Sequence, residues 1–398
     1  MSANKPPSRR SSLSDALPIP TDEATLHSTQ VLEKIQDKIQ AAGSAIRFDE
    51  YMHAALYLPD LGYYRCGTEK FGALGDFTTA PEVSALFAQC LAQFIHANQC
   101  GSAILEVGAG SGQLAVDVLL ALQAQDSLPQ HYYILELSRE LRARQQQNIQ
   151  QALPDFVNSV QWLDDLPTSF DGVVIANELL DAMPVRRFHL KQGKTYEQYI
   201  AQRNGVLYFE DVPLDEPRLV ERLALLQQQT SLAEVDDYTS EVNFYAEDWI
   251  STLAQRCHTA VILLIDYGYP RSAYYHAQRS SGTLMCHYQH RAHSDPLVLT
   301  GIQDMTAHVD FTAMADAALA GDLQVAGFTT QAHFLMNLGL LDKLATQTPS
   351  DASIQMVNEI KRLTLPTEMG EQFKVMALTK NIAHLQHGFE QYDLRHLL

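Results

Sequence analysis

The stretch Ile104-Leu105-Glu106-Val107-Gly108-Ala109-Gly110-Ser111-Gly112-Gln113-Leu114 decides the fold. An apolar strand (Ile104, Leu105, Val107) runs into three alternating glycines and then into a helix whose apolar residues include Leu114, Val116, Val118 and Leu119. Gly108 and Gly110 can take positive φ, or let a ligand lie on the backbone where any Cβ would collide. The helix that begins here turns free N–H groups and a positive dipole end outward. A strand, a glycine turn and a helix at the carboxyl edge of a parallel sheet make a nucleotide-type cofactor site.

Glu106, one residue before Val107, narrows the choice of cofactor. Dinucleotide folds place phosphates on this turn, and a carboxylate beside it would repel them. An acidic strand residue suits a cofactor that is cationic and phosphate-free. S-adenosylmethionine, with its sulfonium and amino group, fits. The run His131-Tyr132-Tyr133-Ile134-Leu135-Glu136 reads as a second strand ending in a carboxylate. It lies roughly 25 residues past the first strand, close to the spacing at which an acid binds a ribose diol. A solvated strand-end glutamate is the plainer alternative.

The 398 residues suffice for one elaborated domain or two, and a hydrophobic content of 46% is ordinary for a globular protein. A net charge of −19 argues against a nucleic-acid partner and permits a basic protein segment as substrate. Cys66, Cys90, Cys100, Cys257 and Cys286 are scattered without C-x-x-C spacing, so neither a disulfide frame nor a zinc knuckle is indicated. No apolar run approaches the ~20 residues of a membrane span. Residues 1–25, rich in Ser and Pro, read as a flexible tail.

Along the chain, helices are expected from Leu26 to Ala42 and from Ile46 to Leu58, ended by the turn chemistry of Pro59-Asp60-Leu61-Gly62-Tyr63-Tyr64. The loop Phe71 to Glu82 concentrates Asp76, Thr78 and Thr79, with Pro81 placed to open the helix Val83 to Ala97. Asp164 and Asp165 follow a third strand, as adenine contacts or as turn formers. A fourth strand, Asp171 to Ala176, ends in Asn177-Glu178-Leu179-Leu180-Asp181. By the strand-edge rule chemistry sits here, and Glu178 and Asp181, three apart, would share one helical face. Alternating segments from Arg186 to Phe209 predict β-hairpins. A fifth strand ends at Asp266-Tyr267-Gly268, and later strands are expected at Gln324 to Phe328 and Phe373 to Thr379. The spacing of His287, His290 and His293 is not that of a zinc module, and no metal is expected.

Six ordered motifs then resemble one family. They are Gly75 to Glu82, Glu106 to Gly112, Ala176 to Val185, Asp266 to Gly268, Thr306 to Phe311 and Met369 to Val375. Together they look like the MidA-like class I methyltransferases, which include a mitochondrial complex I assembly protein arginine methyltransferase. The resemblance covers residues 46–379. It implies a Rossmann-like α/β fold: a mostly parallel seven-stranded sheet flanked by helices, with an N-terminal helical region and β/helical insertions. The expected division is tail 1–25, helical region and cofactor-covering loop 26–98, core 99–184 and 258–398, and insertion 185–257. The resemblance implies S-adenosylmethionine binding by Glu106, Gly108, Gly110, Gly112 and Glu136. Asn177, Thr78 and Thr79 are further candidate contacts. It also implies methylation of protein-borne arginine, in a bacterial cytoplasm rather than a mitochondrial matrix; a homodimer is compatible with it.

A guanidinium is protonated and a poor nucleophile, so carboxylates must hold it and take its proton. Glu178 and Asp181 are the candidates, with Asp76 from the loop. Rival readings are a small-molecule methyltransferase, a non-catalytic assembly factor keeping the cofactor pocket, and a nicotinamide dehydrogenase, the last disfavoured by Glu106.

Overall fold

The computed structural model describes residues 17–66, 79–99, 101–345 and 351–398. Seven strands form the central sheet: β1 (Ala103–Val107), β2 (His131–Leu135), β3 (Val160–Leu163), β4 (Phe170–Asn177), β5 (Cys257–Tyr269), β6 (Gln324–Thr330) and β7 (Phe373–Lys380). Their order is β3-β2-β1-β4-β5-β7-β6. β3, β2, β1, β4 and β5 run parallel, and β7 lies antiparallel to both β5 and β6. A two-residue strand, Val309–Asp310, adds to the end of β5. This is the expected class I α/β architecture. The order reverses between β1 and β4, which opens a crevice at their carboxyl ends.

Central strands buried on both faces read as unbroken apolar runs, and β5 shows why. Val261, Leu263 and Ile265 pack on one face with the helices Ala85–Ala97 and Gln113–Gln123. Ile262 and Leu264 pack on the other with Phe244–Arg256 and Phe311–Ala320.

The N-terminal region departs from expectation at two points. Its first helix, Asp22–Ala41, starts four residues before Leu26, inside the stretch read as tail. Thr21 caps it by accepting from the Ala24 amide at 3.2 Å, and Asp22 and Glu23 suit its positive end. Ile46 is not helical. Ala45–Arg47 is a strand, with Ile46 opposite Ile200, and the helix is only Phe48–Tyr57. β-branched Ile46 gains more from a cross-strand partner than from a helical turn.

The hairpin prediction holds. Arg186–Lys191, Lys194–Arg203 and Val206–Pro213 form an antiparallel meander. Its turns are Gln192-Gly193 and Asn204-Gly205, all four residues at positive φ, the backbone that matches strand twist in a two-residue loop. Ala45–Arg47 and Tyr238–Val242 complete a five-stranded sheet. Residues from before β1 and after β4 share one core there, with Val31, Ile35, Phe48, Ile200, Cys286 and Met305. A small sheet of Met285–Tyr288, Arg291–His293 and Asp304–Thr306 adjoins it. His287 and His293 face opposite sides of that sheet, since His293 is paired with Cys286. Among the described residues no group of His, Cys, Asp or Glu could hold a metal ion, and no helix is long and apolar enough to cross a membrane.

Candidate active site

The glycine turn leaves β1 with Gly108 at φ +74° and Gly110 at φ +53°. The Gly108 amide still donates to Leu135 O at 2.9 Å, so the turn stays tied to β2. A Cβ on Gly108 would reach Leu179 Cδ1 at 3.1 Å, across the mouth of the crevice. Gly112 serves a different purpose from the one expected. It sits at φ +81° as the cap of the helix Gln113–Gln123, and a Cβ there would meet Gln145 Cγ at 2.9 Å. It is absent from the cleft wall and instead lets two helices approach.

Gln145, buried on the helix Arg139–Ala152, was missed by sequence reasoning. Its Nε2 donates to Gly110 O at 2.9 Å and to Glu136 Oε2 at 3.2 Å, and its Oε1 accepts from Trp162 Nε1 at 2.9 Å. One side chain thus braces the turn and the acid after β2. Glu136 also accepts from the Ser138 amide at 2.9 Å, while burial raises its pKa. Glu106, 2% exposed, accepts from Tyr132 Oη at 2.7 Å, and burial pushes it up to about 7.

At the end of β4 the expected helical turn does not form. Glu178 takes φ +51°, and the chain runs on through turns to the strand at Arg186. The Asp266 carboxylate replaces the helix by accepting from the Leu180 and Asp181 amides at 2.9 and 3.2 Å. Glu178 and Asp181 therefore share no helical face. Glu178 lines the cleft, its Oε1 accepting from the Ala80 amide at 3.4 Å and from Asn177 Nδ2 at 3.3 Å. Burial, with repulsion from Asp181 second, pushes it up to about 8. Asp181 is buried off the cleft wall, where it accepts from Tyr267 Oη and leaves Oδ1 without a partner. Burial raises its pKa to about 6.

The opposite wall comes from the N-terminal region. Thr79 precedes the short helix Ala80–Val83 and lines the cleft, and Glu82 accepts from the Ser111 hydroxyl. Asp76 and Thr78 lie outside the described residues. Tyr57 and Tyr64, also missed, face the cleft with rings 5.5 Å apart at 22°. Their only sequence signal is a pair of aromatics flanking the Pro59 to Gly62 turn. Asp164 and Asp165 are turn residues: Asp164 pairs with Arg142 at 2.7 Å, and Asp165 accepts from the Leu166 amide at 2.8 Å.

The cleft measures about 960 Å³ out to solvent. Leu135, Leu137 and Leu141 give it an apolar end beside Glu136, suited to an adenosyl group. Glu82, Glu106, Glu136 and Glu178 line it, with no Lys, Arg or His among its described residues. Asn177 Oδ1 is buried without a partner at the β4 end. These acceptors suit a cation and repel phosphates, so the residues fit S-adenosylmethionine and not a dinucleotide.

Comparison with known proteins agrees. Residues 86–329 match the family described as "putative S-adenosyl-L-methionine-dependent methyltransferase". A Burkholderia thailandensis crystal structure with bound S-adenosyl-homocysteine is 38% identical, with a TM-score of 0.91, covering 96% of this chain and 100% of that one. The Drosophila melanogaster mitochondrial protein arginine methyltransferase NDUFAF7 homolog is 28% identical, over 89% of this chain and 86% of its own length. The Danio rerio protein arginine methyltransferase NDUFAF7 is 28% identical, over 87% and 86%. With sequence, sheet order and cleft chemistry in agreement, the chain belongs to this family of S-adenosyl-L-methionine-dependent methyltransferases.

Proposed function

We propose that this methyltransferase acts on the guanidinium of arginine in a protein substrate. The observation that carries the reading is Glu178, a carboxyl at the end of β4, facing the cofactor cleft with its pKa pushed up to about 8. Two curated relatives named as protein arginine methyltransferases support it over most of their length.

Bound S-adenosylmethionine supplies an electrophilic methyl group on a sulfonium. Glu136 and the apolar end of the cleft would hold the adenosyl portion, and Glu106 the cationic portion. Glu178 would accept an N–H of the incoming guanidinium and localise its charge. As the new N–C bond forms, one guanidinium proton must leave, and Glu178 takes it. A carboxyl with a raised pKa is a better base for this than an ordinary one, because its affinity for the proton is closer to the operating pH. Asn177 Oδ1, unpartnered beside it, offers a second acceptor.

Mass spectrometry of arginine-containing peptides tests the reading in deletion cells complemented with wild type or Gly108→Val. A methylarginine lost on deletion and restored only by wild type is expected. Unchanged arginine methylation, with methyl label recovered in small molecules, would overturn it.

A further inference from the structure

Tyr57 and Tyr64 from the N-terminal wall and Asn177 and Glu178 from the end of β4 share one property: each has an acceptor to offer the cleft. Tyr57 Oη donates to Ala182 O at 2.9 Å, and Tyr64 Oη donates to Asp304 Oδ1 at 2.7 Å. Each phenol oxygen is left with lone pairs alone to offer. Burial, reinforced by Asp304, raises both phenols well above their ordinary range, so neither gives up that hydrogen. Asn177 gives one Nδ2 hydrogen to Glu178 and leaves Oδ1 buried and unpartnered. Glu178 becomes an acceptor only once it ionises, the state that an adjacent guanidinium favours.

A wall of acceptors rejects any ligand group that also brings an acceptor, because two sets of lone pairs then face each other without a proton between them. A guanidinium is the matching group: planar, with five N–H donors and no acceptor. The near-parallel tyrosine rings add aromatic surface against which such a plane stacks. The placement is enforced locally. The Tyr63 and Tyr64 amides fold back onto Ala55 O and Leu56 O at 2.9 and 2.8 Å, which fixes Tyr64 against the helix that carries Tyr57. Asp304, 2% exposed on the small three-stranded sheet, is itself oriented by accepting from the Met305 amide at 2.9 Å.

We propose that Tyr57, Tyr64 and Asn177 join ionised Glu178 in an acceptor-lined cleft that selects a donor-only planar cation, with Asp304 as the positioning residue that holds Tyr64 in this polarity. The proposal rests on the arginine reading above and names the residues that would enforce it. Citrulline changes polarity and charge at nearly constant shape, since it is an arginine with one nitrogen replaced by a carbonyl oxygen, and the Phe variants isolate the acceptors because they leave the charge of the cleft unchanged.

The test is a titration of N-acetyl-arginine methylamide and its citrulline counterpart, at about pH 9 where Glu178 is ionised, into protein loaded with S-adenosyl-homocysteine, followed by NMR. Arginine should bind at least about tenfold tighter than citrulline, the lower range for hydrogen bonds to a charged group. Tyr57→Phe and Tyr64→Phe keep the rings and remove one acceptor each. Each should lower arginine affinity roughly tenfold and narrow the ratio to citrulline, with S-adenosyl-homocysteine affinity held within about twofold. Asp304→Asn should also narrow the ratio, because an amide can donate to Tyr64 and turn its hydroxyl toward the cleft. A merely structural Asp304 would lower the melting temperature and leave the ratio alone. Equal binding of arginine and citrulline to wild type overturns the proposal, as do Phe variants with an unchanged ratio or with parallel loss of S-adenosyl-homocysteine. If one Phe variant fails to fold, the other still decides. Failure of the underlying reading looks different: the wild type prefers arginine to citrulline yet transfers no methyl group to arginine.

Discussion

Glu178→Gln removes one titrating group from the cleft at almost constant shape. With a pKa of about 8, wild-type Glu178 is ionised in roughly one molecule in ten at pH 7 and nine in ten at pH 9. A guanidinium stays charged throughout that window. Arginine-peptide kcat/KM should therefore rise about tenfold from pH 7 to pH 9, with a midpoint near 8. Binding at pH 7 should release close to one proton, read as a buffer-dependent calorimetric enthalpy. Glu178→Gln should flatten the profile and lower single-turnover transfer by roughly 10²–10⁴-fold at saturating cofactor. Stability runs the other way. The folded-state pKa lies above the ordinary 4.5, so the folded chain keeps a proton that the unfolded chain has lost. That contribution is whole below pH 4.5 and is lost as pH rises through 8. The glutamine variant, free of it, should melt higher than wild type at pH 8 and gain less near pH 5. A flat wild-type profile, or the same profile in both proteins, would refute the proton-acceptor role.

Other perturbations separate cleft from scaffold. Gly108→Val should abolish S-adenosylmethionine binding in a folded protein, given φ +74° and Leu179 at 3.1 Å, as calorimetry would show. Gly112→Ala should lower the melting temperature through its clash with Gln145, with a smaller effect on cofactor affinity. Glu136→Ala should weaken cofactor binding by about 1.5–3 kcal/mol, and an unchanged dissociation constant would return it to an ordinary strand end. Asp181→Asn removes the second-largest cause of the raised Glu178 pKa, so it should move the activity midpoint below 8; a stationary midpoint would uncouple the two carboxyls.

The sheet, and the placement of Gly108, Gly110, Glu106 and Glu136 along one cleft, were legible because their logic is local: a strand, a tight turn and an acid at fixed spacing. The errors arose where a distant partner decides. Gly108 and Gly112 look alike in a row of alternating glycines, and only Leu179 and Gln145 tell a cleft position from a helix contact. The spacing of Glu178 and Asp181 assumed a helix that positive φ at Glu178 forbids and that the Asp266 carboxylate supplants. Tyr57 and Tyr64 were invisible as site residues because their partners, Ala182 and Asp304, lie 125 and 240 positions further along.

The pairing of Ala45–Arg47 with Tyr199–Ala201 has a consequence for biogenesis. At about 5–20 residues per second, a ribosome needs roughly eight to thirty seconds to make the intervening chain. Until then Ile46, Phe48 and Met52 lack their native cover, and Tyr64 waits longer still for Asp304. β1, β2 and β3 emerge within that delay, so the nascent chain can assemble the strands that carry the glycine turn and Glu136 while the Tyr64 side of the cleft is unformed. The early helices spend the interval as sticky, unpaired surface, which makes them the segment where a chaperone would engage.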